Sequence, residues 1–476
     1  MTAIVTHPQL KDVLFGFLSL PDVLKCREIS NATADAVDNT IEEHCYEAME
    51  GLNEIDKLCP YLSDEAASSL RRARAPAGFF LLALDNQGKV RGTAENEPDA
   101  IASEILSLPT TLQRLTRFSK EGLIDSKDRR QQDPYRLSRL SMVSLARSAP
   151  NITSLYFWMC KLNDIKALRQ TLSSLPHLQH LELGGDSLAT FDDDVARVIA
   201  TSAPKLKKII IGIAPIAPGL DGLADCRQLE SIVINSSGTT LKKKYIGDLV
   251  IHFPALKDVV LRTSMRDNPE RELLDLVRRR RLRTVDVADF GWGTELASAA
   301  STIAETSGKM LESIHIGEYR YSRPGVTWLS DQFLGVLTSR CPFLKRFDVR
   351  DRGSRNVTDA GITLLGANCH QLQYLNVSGC DVGDLGINAI ADGCPELQAL
   401  IVLRTRVTDV SISRIALQCP KLCVFGFNDM GSEITERAFS AVVNHCPLLE
   451  IRGGRFSFGP EEAASLRRKH PRCYVR

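Results

Sequence analysis

Apolar positions recur along most of this chain in a two-part pattern. Leu372, Leu375 and Val377 are apolar, while Tyr374, Asn376 and Ser378 alternate with them. A period of two predicts a short strand with one face turned inward. Further on, Ile387, Ile390, Ala391 and Cys394 fall at i, i+3, i+4 and i+7, a single stripe of a helix. The unit closes on Cys-Pro-x-Leu and begins again. Aligned on the Leu or Ile of that ending, copies fall at Ile152, Leu178, Leu206, Leu229, Leu256, Leu282, Leu311, Leu344, Leu372, Leu397, Leu422 and Leu449. The spacing is 25 residues from Leu372 to Leu397 and again to Leu422, and reaches 33 between Leu311 and Leu344.

Helix starts are written into the same pattern. Asp331, Asp359, Asp384 and Asp409 stand ten residues before Cys341, Cys369, Cys394 and Cys419, and Glu436 holds that place before Cys446. Ser330, Thr358, Thr408 and Thr435 precede four of these five. A hydroxyl or carboxylate there accepts hydrogen bonds from unpaired helix N–H groups and suits the positive end of the helix dipole. Asp192–Asp194 reads as another helix start.

One such unit cannot bury both its strand face and its helix stripe, so copies must stack. A period in the twenties headed by L-x-x-L-x-[LIV] is the leucine-rich-repeat signature. The recurrent cysteine before Pro-x-Leu, at Cys226, Cys341, Cys369, Cys394, Cys419 and Cys446, resembles the cysteine-containing repeats of F-box proteins; Cys160 and Cys380 match the cysteine after the strand. The expected fold class is α/β, a leucine-rich-repeat solenoid with parallel strands on the concave face and helices on the convex face. A small all-α F-box-like segment at residues 1–50, a linker with irregular early repeats at 51–145, and about twelve repeats with a C-terminal cap at 146–476 complete the expected organisation. In the linker, "LPTTLQRLTRF" mimics the head of a repeat.

The segment "HPQLKDVLFGFLSLPDVLKCREIS" has the cadence of an F-box. The resemblance implies that Pro8, Leu10, Leu14, Leu18, Leu20, Pro21 and Leu24 lie at or near a surface that docks the Skp-type adaptor of a cullin–RING ubiquitin ligase. Its apolar positions suit short helices presented to a partner helix. A helical cap that seals the first repeat would use the same residues.

Recognition is expected on the concave strand face and the loops just after it. Positions pointing outward include Tyr156, Trp158, His180, Glu182, Arg262, Asp286, His315, Arg346, Asp348, Arg350, Tyr374 and Asn376. "DFGWGTE" and "GEYRYSRPGVTWLS" are the least repeat-like pieces of the array. They place Phe290, Trp292, Tyr319, Tyr321 and Trp328 in adjacent loops, and aromatics with Arg are the residue types enriched at interface hot spots. The substrate-binding candidates are therefore Trp158, Phe290, Trp292, Tyr319, Tyr321, Trp328, Arg346, Arg350 and Tyr374. Packing of these rings beneath their own loops accounts for the same residues. An enclosed pocket at these loops would point instead to a small-molecule sensor.

Composition narrows the classes further. Lys and Arg number 59 against 58 Asp and Glu, so the totals favour neither nucleic acid nor a membrane surface as partner. No stretch reaches the roughly 18–20 apolar residues of a membrane span, nor is a signal-peptide pattern present, which implies a cytoplasmic or nuclear protein. Thirteen cysteines without such a signal fit reduced thiols. Metal binding is disfavoured because no close CxxC pair occurs, and cysteine packs readily as a small apolar residue. "RRRRLR" at Arg278–Arg283 falls where a helix ends, where cations suit the dipole. Phosphate-binding, nucleophile-elbow and zinc-protease motifs are missing, so neither catalysis nor a cofactor is expected.

Overall fold

The computed structural model describes residues 117–121, 151–158, 165–184, 191–212, 220–241, 244–265, 270–288, 296–317, 329–349, 356–428, 436–447, 450–454 and 474–475. The chain divides into two compact units, Met1–Lys57 with Arg71–Leu229 and Leu58–Leu70 with Glu230–Arg476.

In the first unit, strands β1 (Arg117–Glu121), β2 (Ser154–Trp158), β3 (His180–Gly184) and β4 (Lys208–Gly212) pair parallel in sequence order. Helices α1 (Ile165–Ser173) and α2 (Asp193–Ser202) form the crossovers after β2 and β3. Strand β1 sets Phe118 beside Leu155; the head-like sequence near residue 112 lies outside the described residues. Leu155, Leu181 and Ile209 then occupy one register row and are fully buried. Asp192 caps α2, its carboxylate accepting from the N–H groups of Asp194 and Val195 at 3.1 and 2.9 Å.

The second unit repeats the arrangement. Its strands are β5 (Ser231–Leu241), β6 (Asp258–Met265), β7 (Thr284–Ala288), β8 (Ser313–Gly317), β9 (Arg346–Asp348), β10 (Tyr374–Asn376), β11 (Ala399–Ile401), β12 (Val424–Asn428), β13 (Glu450–Gly454) and β14 (Tyr474–Val475). All pair parallel with their sequence neighbours. The crossovers carry α3 (Lys244–His252), α4 (Glu270–Arg279), α5 (Leu296–Ser307), α6 (Asp331–Arg340), α7 (Asp359–Asn368), α8 (Asp384–Gly393), α9 (Asp409–Gln418) and α10 (Glu436–His445). Ile232, Val259, Val285, Ile314, Phe347, Leu375, Leu400 and Phe425 form one continuous buried row through the sheet. Each such side chain contributes about 1.5–3 kcal/mol on burial. The row is possible only because every repeat delivers an inward residue at the same register.

Between the helices, capping is shared by neighbouring repeats. The hydroxyls of Ser330, Thr358 and Thr408 cap their own helices, accepting from Phe333, Ala360 and Val410 N–H. The aspartates that follow them reach forward instead. Asp331 accepts from the N–H and hydroxyl of Thr358, Asp359 from Gly383 and Gly386 N–H, and Asp384 from Thr408 and Ser411. The expectation that each carboxylate serves its own helix is corrected here: the side chain leaves the first turn toward the next repeat. Burial raises the Asp384 carboxyl, and its bonds to Ser411 and Thr408 more than reverse that. Arg283 is also structural, pairing through two nitrogens with Asp258 of the preceding repeat, while Arg279 bonds Asp275 one turn earlier in α4.

Candidate functional site

The cysteine positions form a ladder inside the second unit. Cys341, Cys369, Cys394 and Cys419 are the C-caps of α6, α7, α8 and α9. The thiol of each donates to the backbone carbonyl of the repeat before it: Cys369 to Cys341, Cys394 to Cys369 and Cys419 to Cys394, each at 3.5 Å. Each of these sulfurs is thus turned to a backbone carbonyl, and all eight described cysteines are buried thiols outside any disulfide. Burial pushes the thiols of Cys226, Cys341, Cys369, Cys394, Cys419 and Cys423 up to about 12, and that of Cys446 to about 11.

Two results follow from this. The native thiols should stay unmodified by a thiolate-seeking reagent at pH 8 until the chain unfolds. Stability should also fall as pH rises above 9, because the unfolded chain then releases protons that the native chain retains. The slope is on the order of 1 kcal/mol per pH unit for each such thiol. Urea midpoints measured from pH 7 to 10.5 check it, and a flat profile would contradict the buried ladder.

The strand side of the sheet carries a different arrangement. Residues one register apart on β7, β8 and β9 are Asp286, His315 and Asp348. His315 Nδ1 lies 2.9 Å from Asp286 Oδ1, and Nε2 lies 3.7 Å from Asp348 Oδ1. An ionised carboxylate can only accept, so Nδ1 carries the proton. From β6, Arg262 donates Nε and Nη2 to Asp286 Oδ2 at 3.0 and 2.9 Å. Tyr374 of β10 donates its hydroxyl to Asp348 Oδ2 at 3.2 Å, and the Arg346 guanidinium stacks 3.6 Å above the Tyr374 ring. Burial raises the Asp286 carboxyl, but Arg262, His315 and Arg346 together outweigh it and hold the group well below the usual carboxylate range.

Of the candidates read from the sequence, this brings together Arg346 and Tyr374. Both point to the side opposite the helices, as the alternation predicts, but Tyr374 is fully buried rather than exposed. Trp158 is the last residue of β2 in the first unit. Phe290, Trp292, Tyr319, Tyr321, Trp328 and Arg350 lie outside the described residues, as do the adaptor-facing Pro8, Leu10, Leu14, Leu18, Leu20, Pro21 and Leu24. Arg262, Asp286, His315 and Asp348 were legible as outward positions, whereas their mutual bonding was not. The signal was an acid–histidine–acid series at one register on three successive strands.

Chemically, the cluster is a charge-assisted network of guanidinium, carboxylate, imidazole and phenol groups. It holds no serine, cysteine or lysine nucleophile among the residues just named, and such a network rigidifies the strands it links. No helix of the described residues is long and apolar enough to cross a membrane.

No family model matches the sequence, and no curated protein does either. Solved structures do. The crystal structure of the Rad7–Elc1 complex in yeast matches 80% of this chain and 95% of the other, at 17% identity and a TM-score of 0.52. An internalin from Listeria monocytogenes matches at 14% identity, with 80% and 95% coverage and a TM-score of 0.39. A leucine-rich-repeat protein of Leptospira interrogans matches at 12% identity, with 79% and 98% coverage and a TM-score of 0.32. With the repeat spacing, the parallel strands and the continuous buried apolar row, the chain has the α/β leucine-rich-repeat solenoid fold.

Proposed function

We propose that this protein is the non-catalytic substrate-recognition subunit of an SCF-type cullin–RING ubiquitin ligase. Residues near 8–37 hold the Skp-type adaptor, and the repeats hold a target protein. Ubiquitin transfer is supplied by the ligase's RING subunit and its conjugating enzyme, while the receptor converts a bimolecular encounter into a tethered one. The observation that carries the reading is the sequence pairing of an F-box-like apolar segment with repeats that end in Cys-Pro-x-Leu. The cysteine ladder of α6–α9 supports it, since the thiols of Cys369, Cys394 and Cys419 each bond the backbone of the preceding repeat. Rad7, whose fold is similar, was crystallised in complex with a second protein, Elc1.

A repeat-based binding scaffold with a helical N-terminal cap is the competing assignment. "HPQL" stands one residue out of register with "LF" in the F-box cadence, and Thr33 replaces a customary aromatic. Capture of the full chain on immobilised Skp-type adaptor separates the two. The unaltered protein should bind, and Leu18→Asp with Leu24→Asp should weaken binding about a hundredfold or more at an unchanged melting temperature, as loss of central apolar anchors does. An unaltered chain that is not captured leaves the scaffold, and the ubiquitin assignment falls.

A further inference from the structure

We propose that the rim of the first unit at which strands β2, β3 and β4 begin is a docking surface for an acidic segment of a partner protein, a run rich in Asp and Glu. The proposal does not depend on the adaptor assignment.

Its basis is a difference between repeats at equivalent positions. In the second unit, the positions around the repeat leucine pair a base with an acid of the repeat before. Lys257 donates to Glu230 at 2.9 Å, and Arg283 holds Asp258. Lys345 lies 3.1 Å from Glu312, and Lys421 lies 2.6 Å from Glu396. In the first unit, the two positions after Ile152, Leu178 and Leu206 hold no acid. They are Thr153 and Ser154, Gln179 and His180, and Lys207 and Lys208. Where Lys257 finds Glu230, Lys207 finds Gln179. Among the described residues, neither Lys207 nor Lys208 makes an ion pair, nor does Lys205 just before Leu206.

The fold holds these charges in place and leaves them accessible. The main-chain N–H groups of Lys207 and Lys208 both donate to the Gln179 carbonyl, at 2.8 and 3.0 Å. Leu206, between Lys205 and Lys207, is fully buried and anchors the backbone that carries all three lysines. Lys205 and Lys207 are exposed and Lys208 is half-exposed. Beside them on the strand face, His180, Glu182 and Ile210 are half-exposed too. Ser154 Oγ lies 3.1 Å from His180 Nδ1, and the register sets Arg117, Ser154, His180 and Lys208 in one row across β1–β4. That row contains no acid.

Cations left without an intramolecular counter-charge raise the local potential and steer an anionic partner to the rim. Adjacent strands lie about 4.8 Å apart, so the row from β2 to β4 spans roughly 10 Å. One phosphate group is smaller than that. Carboxylates on alternate residues of an extended segment, about 7 Å apart, match it better. A nucleic-acid backbone fits less well, because Glu182 stands two residues beyond His180 on the same face and would oppose an unbroken run of phosphates. A polypeptide can set an uncharged residue there.

The test uses the full chain and a fluorescein-labelled peptide of alternating Glu and Ser, with alternating Gln and Ser as the matched probe, followed by fluorescence anisotropy. The Glu peptide should bind about tenfold or more tightly at about 50 mM salt and lose most of that advantage at about 300 mM. Lys207→Glu with Lys208→Glu should weaken it about tenfold at an unchanged melting temperature, and Lys207→Gln with Lys208→Gln should weaken it less. Arg281→Glu with Lys309→Glu makes an equal charge change at exposed positions of the second unit. That pair should leave binding within about twofold. Equal binding of the two peptides overturns the proposal. Equal weakening by the two charge reversals does so as well, since net charge rather than this rim would be the cause. A single-stranded oligonucleotide of the same charge that displaces the Glu peptide and depends on Lys207 and Lys208 would overturn the choice of a protein partner.

Discussion

Gly393→Ala should lower the stability of the second unit by about 3 kcal/mol, although alanine is the better helix former by roughly 1 kcal/mol. Gly393 ends α8, and a Cβ placed on it would run into the backbone carbonyl of Gly366 in α7. Reciprocally, a Cβ on Gly366 would meet the carbonyl of Ala389. Neither obstacle is a side chain that can swing aside, so the two helices must part. Their separation would stretch the bonds from Gly383 and Gly386 N–H to Asp359, at 2.8 and 2.9 Å, which span the same pair. Gly335 in α6 is the control, because a Cβ there meets only Leu364 at an ordinary 3.8 Å. Gly335→Ala should therefore be neutral or stabilising. Urea midpoints of the two variants decide the matter: if Gly393→Ala behaved like Gly335→Ala, the close approach of α7 and α8 would be wrong.

That close approach was not legible in the sequence, and the reason is general to repeats. Periodicity within one unit identifies strand and helix, and it placed Leu372, Leu375, Val377, Ile387, Ile390 and Cys394 correctly in the core. It says nothing about what one unit does to the next. Asp331, Asp359 and Asp384 were readable as belonging to helix starts, but their bonds to the following repeat depend on stacking distance. The cysteines illustrate the other case. A small apolar residue recurring every 25 positions must meet its own copies, so core packing followed from spacing alone.

The candidate site was half readable for a related reason. Alternation assigned Arg346, Tyr374, Asp286 and His315 to the face opposite the helices, and the structure agrees. Alternation within one repeat cannot report a neighbour from an adjoining one, such as the Arg346 guanidinium stacked on the Tyr374 ring, and Tyr374, expected in solvent, is buried. Pairing of Asp286 with both Arg262 and His315 required the register of β6, β7 and β8. No single repeat contains it.

Asp286→Ala should cost about 3–5 kcal/mol, the largest loss expected for a polar substitution in this network, because it removes a buried ionised acceptor from two donors at once. The two donors do not suffer equally. Arg262 is about a third exposed, with its side chain at 36%, and can turn to water, whereas His315 at 2% cannot. Most of the loss therefore comes from the imidazole. Arg262→Met should cost only about 1 kcal/mol, as expected for a partly solvated ion pair. The effect of pH has a definite sign. The native Asp286 carboxyl is held below its ordinary value of 3.8, so its contribution is fully present above that value. As pH falls below 3.8 the unfolded chain takes up a proton that the native chain resists, and the contribution drains away. The stability gap between the unaltered protein and Asp286→Ala should then be constant from pH 7 to about 5 and narrow below 4. A gap under about 0.5 kcal/mol at pH 7 would mean that the buried carboxylate is dispensable, and that apolar burial alone holds β6, β7 and β8 together.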